Sequence, residues 1–353
     1  MNLRRCSFHS ILFWRACILL GLLLACSATS CQAADPGAKA AATGESPTAT
    51  AKTPGTDSRK VVVTVNGEPI YEDELNTGLP QDAFKETLDA ARDIRLERFT
   101  DMLVMQQFLK SQNIEVAQSE IDEDIASLKR NPPSAGCPCC RYESLDQYMQ
   151  INYVTPVELV RQSRNRIGFQ KYLEVQWQKA YPTPQARAEL LKTKRSELEA
   201  KYAKAYHIFF NAAQDPDTKR DADAVLKKKR KLADEAWNRL QRGETFEAVA
   251  KAMSEDKMSA GEGGFLGYVS KGAFGKAFSD ALFQMAPGTC SKPVASPWGY
   301  HIIRREPLTD EDILAILKED YLGEKASETI DKINGEAKIE RPGVAPQAAT
   351  PRR

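Results

Sequence analysis

The chain has 353 residues, with 49 basic and 48 acidic side chains, three histidines and a formal net charge of +1. After the terminal segments are set aside, that length suits about two folded domains. The evenly mixed charge leaves no electrostatic footprint for nucleic acid or for steering toward an acidic surface, so neither partner is expected.

"MNLRRCSFHSILFWRACILLGLLLAC" opens with arginines at 4, 5 and 15 and an apolar run from Ala16 to Ala25. That run has the length of a signal-peptide core and is too short to span a bilayer. Its end, "LLAC", resembles a bacterial lipobox. Residues 1–25 are then the signal peptide, and cleavage before Cys26 leaves a lipid-carrying cysteine. The alternative is an ordinary secretory signal cut near Ala33 or Ala34. Ser27 is not aspartate, which by resemblance sends the lipoprotein of a two-membrane cell to the outer membrane, facing the periplasm. No second apolar stretch reaches membrane-spanning length. Residues 26–59 are rich in Ala, Thr, Ser, Gly and Pro and read as a flexible tether, because they bury too little to offset their ordering entropy. Residues 341–353 read as a tail.

Over 60–200 the pattern is mostly helical after one strand. "KVVVTVNGEPIYEDELN" predicts that strand, an Asn66-Gly67 turn and a helix start. Helices are expected over about 82–112 and 118–130. Thr155 and Glu158 form a capping box with Pro156 at the first helical position, and a long helix follows. Another begins at Thr183. "AKAYHIFF" then reads as a strand. A helix through "DADAVLKKKRKLADEAWNRLQRG" would turn Ala224, Leu232, Ala236 and Leu240 to a core, with the basic run 227–231 on a solvated face. A short helix in "TFEAVAKAMSED", a glycine-rich stretch, a helix in "KAFSDALFQM" and a closing hairpin ending "WGYHIIRREP" complete a compact α+β segment. After Pro307 a further helix is capped by Thr309. "AKIE", at 337–340, is a short strand that returns with the helix to the first domain, which is therefore discontinuous.

"AYHIFF", "FEAVAKAMSEDKMSAGEGGFLGYVSKGAFGKAF", "MAPGTCSKPV" and "WGYHIIR" together resemble a parvulin-type peptidyl-prolyl isomerase over about 203–305. With "VVVTVNGEPIYEDEL" and the helical flanks, the whole arrangement resembles secreted SurA/PrsA-like parvulin chaperones. The resemblance implies an α+β fold class: a discontinuous helical arm (60–200 with 308–340) and a parvulin-like domain (201–307) with a small antiparallel sheet and surrounding helices. It places His207 and His301 on adjacent central strands at the floor of the active site, sharing a hydrogen bond, with support of the sheet and direct chemistry both open as roles. Asp256 matches the family's acidic or cysteine position, as an electrostatic element beside the substrate carbonyl or a loop carboxylate capping a helix. Ser296 matches a hydroxyl facing the histidines, and Ser259 is a second loop candidate. Leu266, Phe274 and Phe278 would form the proline pocket, with Phe209 and Trp298 as walls, unless they are ordinary core. Phe265 departs from the family, which often carries an acid there. The basic residues Lys219 and Arg220 are hemmed by aspartates, so no phosphopeptide selectivity is expected.

The resemblance implies isomerisation of X-Pro bonds in unfolded or newly exported polypeptides without a cofactor, and no metal site is expected. The alternative is a holdase chaperone whose parvulin domain contributes little catalysis. Of the eight cysteines, Cys6 and Cys17 leave with the signal. Cys137 and Cys140 form a C-x-x-C in an extracytoplasmic loop, for which a disulfide, a metal or free-thiol pair, and a redox role all remain open. Cys31, Cys139 and Cys290 complete the set.

Overall fold

In the computed structural model, residues 59–79, 85–133 and 142–342 are described. The expectations for the signal peptide, the tether, Cys26, Cys31, Cys137, Cys139, Cys140 and residues 343–353 of the tail lie outside them. The described chain divides into two units, one of Glu174–Lys325 and one of the residues up to Leu173 with those from Ala326 onward. The borders expected at 200/201 and 307/308 fall inside the first of these.

The N-terminal unit begins with a hairpin. β1 (Val61–Val65) is β-branched and alternates toward a core through Val63 and Val65. Asn66 and Gly67 both have positive φ, 51° and 83°, as a two-residue type I′ connection requires. The chain returns as β2 (Glu68–Tyr71), a second strand where the sequence reading had a helix start. Helix α1 (Glu72–Asn76) follows it. The other edge of β1 is taken by β8 (Ile339–Glu340), which pairs Thr64 with Glu340 and Val65 with Ile339, so the strand order is β2-β1-β8.

Three helices of this unit, α2 (Lys85–Ser111), α3 (Gln118–Arg130) and α4 (Leu145–Ile151), lead to the long α5 (Pro156–Ala180). The start of α5 is fixed reciprocally. The Glu158 amide donates to Thr155 Oγ1 (3.2 Å), and the Thr155 amide donates to Glu158 Oε2 (2.7 Å). Glu158 is buried and bridges Arg95 (2.8 Å) and Arg98 (3.0 Å) of α2. These arginines also donate to the carbonyls of Leu75, Thr77, Asn152 and Tyr153.

In the other unit, α6 (Pro184–Lys201) is N-capped by Thr183 and leads into β3 (Tyr202–Asn211), the long central strand. Then come α7 (Ala222–Gln241), α8 (Phe246–Met253), a single 3-10 turn at Ala260–Glu262 and β4 (Phe265–Ser270). After α9 (Gly275–Gln284) the chain forms β5 (Thr289–Cys290), β6 (Val294–Ser296) and β7 (Gly299–Glu306). The antiparallel sheet runs β4-β3-β7-β5, with β6 also paired to β7.

Alternation along β3 gives the sheet two faces. Ile208 and Phe210 pack with Ile302 against Ala233, Ala236, Phe246, Val249 and Ala250 of α7 and α8. On the other face Ala203, Ala205 and Ile303 pack with Phe278 and Leu282 of α9. Two expectations about α7 need correcting. Ala224 is exposed and Val225 is the buried residue of that turn, because the apolar stripe is rotated by one position. Lys229, assigned to a solvated face, is also buried.

Helix α10 (Asp310–Glu336) starts at Thr309, whose Oγ1 accepts the Asp312 amide (3.2 Å) while Asp312 Oδ2 accepts the Thr309 amide (2.9 Å). Leu308, Ile313 and Ile316 pack with Leu191, Leu198 and Tyr202, so the beginning of α10 belongs to the unit that holds β3. Asp312 also accepts hydrogen bonds from Lys204 and Tyr268. The fold is α+β: helices with two small antiparallel sheets.

Candidate active site

Odd-numbered residues of β3 and β7 place His207, Phe209 and His301 on the α9 face of the sheet. His207 lies two residues from Phe209 on one strand, and Phe209 is directly opposite His301 on the next. Both histidines are buried, each 3 % exposed. Their Nδ1 atoms are 3.3 Å apart. His207 Nε2 is 2.8 Å from Asp256 Oδ2, and His301 Nε2 is 2.9 Å from Ser296 Oγ. Four residues from three separate segments thus form one continuous polar chain.

The acidic end of that chain is fixed. The hydrogen bonds from His207 and Ser259, with that from the Met258 amide, outweigh burial and hold Asp256 down to about 2. It is therefore a carboxylate at neutral pH and only accepts. His207 must therefore donate its Nε2–H to that carboxylate. The two Nδ1 atoms share a hydrogen bond, and His301 Nε2 pairs with Ser296 Oγ, which is also 3.3 Å from Gly299 O. The Trp298 amide in turn donates to Ser296 Oγ (3.3 Å). Burial first, and then the neighbouring His207, lower His301 to about 3, so its ring is neutral through the physiological range.

Every ring nitrogen of the pair is occupied by an internal partner. Neither imidazole is poised to exchange a proton with a bound molecule; the arrangement fixes tautomers and presents a stationary charge pattern. Asp256 is fixed as firmly. Its Oδ2 accepts from Ser259 Oγ (2.5 Å) as well as from His207, and its Oδ1 accepts the Met258 amide (3.1 Å). Both oxygens of the carboxylate are thus held by internal donors.

Aromatic rings surround this floor. Phe209 stacks on His301 at 4.4 Å between centroids, nearly parallel. Phe278 meets His301 edge-on at 5.2 Å and His207 at 6.2 Å. Phe274 lies 5.1 Å from Phe278 and 6.2 Å from His207. Phe278 is fully buried, whereas Phe274 is 43 % exposed and forms an open lip. Phe274 also has φ +56°, a left-handed backbone unusual for a bulky residue and a form of strain that clusters at ligand clamps. Leu266 is partly buried and packs with the cluster that contains Phe278.

Trp298 is placed differently from the other pocket candidates. It is 46 % exposed and lies against Gly275 at the start of α9, where an added Cβ would come within 3.2 Å of the indole. It does not stack on the histidines. Phe265, at the position where an acid was expected, packs on Tyr206 at 5.0 Å on the opposite face. The glycine-rich loop is held by its backbone instead. The His207 amide donates to Gly264 O (2.7 Å), and the Gly264 amide donates to Ser259 O (2.8 Å). At Gly264, φ is +87° and a Cβ would sit 2.3 Å from His207 O, so only glycine allows this approach.

Sequence reasoning passed over Ser254 and Glu255, which flank Asp256 and bind the backbone of β3. Their place in "SED" was the available signal. Cys290, the cysteine among the described residues, is free and lies in β5 opposite Arg304, away from the Asp256–Ser296 chain. Among the described residues, no group of three or more His, Cys, Asp or Glu is gathered as a metal site, and no helix is long and apolar enough to cross a membrane.

Residues 207–307 match the family model of the PPIC-type PPIASE domain, Rotamase. The foldase protein PrsA of Bacillus subtilis is 33 % identical over 178 residues, 48 % of this chain and 60 % of that protein. The foldase protein PrsA of Halalkalibacterium halodurans is 27 % identical over 217 residues, 60 % of this chain and 59 % of that protein. The matches therefore span somewhat over half the length of these two relatives. The crystal structure of PrsA from Bacillus subtilis aligns over 79 % of this chain and 93 % of its own, at 24 % identity and a TM-score of 0.40.

Proposed function

We propose that this chain, whose residues 207–307 are a parvulin-type PPIC rotamase domain, is an extracytoplasmic foldase that catalyses cis–trans rotation of X-Pro bonds in unfolded or newly exported polypeptides. One observation carries the reading: the hydrogen-bonded chain Asp256–His207–His301–Ser296 lies against the rings of Phe209, Phe274 and Phe278, of which Phe274 is exposed.

The chemistry asked of such a site is rotation, with no bond made or broken. Amide resonance sets a barrier of roughly 18–20 kcal/mol, and unaided X-Pro rotation takes tens to hundreds of seconds. The phenyl walls and Leu266 grip the proline ring while the preceding residue turns. In the twisted state resonance is lost, the carbonyl becomes ketone-like and the nitrogen gains a lone pair. A fixed pattern of charge and hydrogen bonds that favours this state over both planar forms lowers the barrier, about tenfold for each 1.4 kcal/mol. The occupied ring nitrogens and the doubly held Asp256 carboxylate support this non-covalent route.

The test is exchange spectroscopy on short X-Pro peptides with the full chain. Wild type should accelerate exchange. Asp256→Ala should lower kcat/KM by roughly 10- to 100-fold with an unchanged circular dichroism spectrum. A wild-type protein no faster than background would overturn the enzymatic reading, and aggregation suppression by that same protein would put a holdase in its place.

The location belongs to the same proposal. Cys26 after "LLA" supports lipidation and a membrane anchor, directed to the outer membrane in a two-membrane cell. Because acyl chains would supply the strong membrane affinity, Cys26→Ala should yield soluble or unprocessed protein on fractionation. Salt-resistant membrane association of a processed Cys26→Ala protein would remove the anchor from the proposal. Cys137 and Cys140 carry the further proposal of a disulfide staple, which thiol counting under denaturing conditions decides: two free thiols from that pair would refute it.

A further inference from the structure

A buried cation outside the Asp256–Ser296 chain reaches the loop that carries Asp256. Lys229 is the buried member of the basic run 227–231 on α7. Its Nζ is 2.7 and 2.9 Å from the two carboxylate oxygens of Glu255. It is also 3.2 Å from Oδ2 of Asp215, in the loop between β3 and α7. A lysine is seldom buried this deeply without paired charges, and here two carboxylates converge on it.

Glu255 is one of the residues that extend the sheet beyond β4. The ladder between β3 and β4 ends at Tyr206 and Phe265, with one further bond from the His207 amide to Gly264 O. From there the edge of β3 is taken over by Ser254 and Glu255. The Phe209 amide donates to Ser254 Oγ (3.1 Å), the Glu255 amide donates to Phe209 O (2.7 Å), and the Asn211 amide donates to Glu255 Oε2 (2.6 Å). These three bonds set the register of the segment along β3. Asp256 is the next residue, and its partner His207 stands on that strand two positions before Phe209. The 2.8 Å contact between Asp256 and His207 therefore depends on the register of this edge.

We infer that Lys229 is a positioning residue for the isomerisation site, anchoring Glu255 so that the 254–256 segment stays in register on β3 and aims Asp256 at His207. The inference rests on the isomerase reading for its consequence in rate, and on geometry alone for its consequence in structure. Lys229 sits on the α7 side of the sheet, away from the phenyl rings. Glu255 is partly exposed, so without its cation it is free to turn toward water and release the Asn211 amide.

The experiment uses the full chain labelled with 15N at histidine, which has three histidines in all, two of them in this site. In the wild type His207 should show one fixed Nε2–H resonance, hydrogen-bonded to Asp256. In Lys229→Met that signature should broaden toward a mixture, and kcat/KM on an X-Pro peptide should fall by about tenfold with KM little changed. Lys229→Arg should restore the ring spectrum and bring kcat/KM back to within about threefold. A folded Lys229→Met protein with wild-type ring spectrum and wild-type kcat/KM overturns the inference. Should Lys229→Met fail to fold, Glu255→Gln decides: it keeps an acceptor for Asn211 but removes the charge that holds Lys229. The same broadening is then expected, and an unchanged ring spectrum overturns the inference. A wild type without isomerase activity would defeat the enzymatic reading only, since the ring spectra would still report whether Lys229 holds Asp256 on His207.

Discussion

The two units each bury a polar cluster, and the clusters are built on opposite plans. In the N-terminal unit Glu158 neutralises one of two arginines, and both guanidinium groups also donate to carbonyls at the ends of α1 and α4. Arg98 Nε is left without a partner. The surroundings are helix ends, and the cluster joins them: it is a structural knot. In the other unit the cluster is a chain of two imidazoles and a hydroxyl with one carboxylate at its end, and aromatic rings cover its side toward the open lip at Phe274. Buried polarity alone therefore does not mark a functional site. What distinguishes the second cluster is the set of aromatic rings packed on it, one of them exposed at Phe274, and hydrogen bonds that fix the orientation of groups.

If the first cluster is a knot, breaking it should cost folding and spare chemistry. Glu158→Ala leaves Arg95 and Arg98 buried without their counter-ion, which typically costs about 3–5 kcal/mol. The expected outcome is loss of the N-terminal unit's thermal transition and early proteolysis there, with kcat/KM on a short X-Pro peptide retained. Proteolysis no faster than wild type would erase the contrast between the clusters.

Acid acts on the second cluster. His301 is held neutral, its folded value of about 3 lying below the ordinary 6.5, so the unfolded state binds the extra proton between those values. Stability from this group is full above pH 6.5 and is lost as pH falls toward 3, on the order of 5 kcal/mol. Asp256 adds a further loss between its ordinary 3.8 and about 2, because its folded value is also lowered. Thermal unfolding of the β3 unit followed from pH 7 to pH 3 should show a steady fall that begins near 6.5. A flat profile down to pH 4 would mean that burial does not hold His301 neutral.

The smallest effect is expected at the far end of the chain. Ser296→Ala removes the hydroxyl that pairs with His301 Nε2 and leaves that buried ring nitrogen without its partner, a loss of roughly 1–3 kcal/mol. Because Asp256 still fixes His207, the expected fall in kcat/KM is only a few-fold. A loss as large as that of Asp256→Ala would show instead that the hydroxyl acts on the substrate directly.

Much of this site was legible along the chain. The aromatic-His-Ile settings of His207 and His301, the carboxylate of "SED" and the phenylalanines of "GAFGKAF" are local patterns, and strand alternation alone puts His207 and Phe209 on one face. Asn66-Gly67 marked its turn because the two-residue connection needs two positive φ angles. Thr155 with Glu158 and Thr309 before α10 marked helix starts because the first amides of a helix need acceptors. Other features were decided by distant contacts. β2 became a strand because β1 offered it an edge; the same residues read locally as the approach to a helix. Lys229 looked like one more solvated lysine in a basic run. Its burial depends on Asp215 and Glu255, which lie 14 and 26 positions away and meet it only when α7 packs on the sheet. The proton order through the histidine pair has the same origin. Each tautomer is set by whatever carboxylate or hydroxyl the folded chain brings to the other ring nitrogen, and periodicity carries no information about that. Sequence determines which groups are available and on which face of their own element they stand; tertiary packing decides which of them lose water, and that loss of water gives a charge or a tautomer its fixed state.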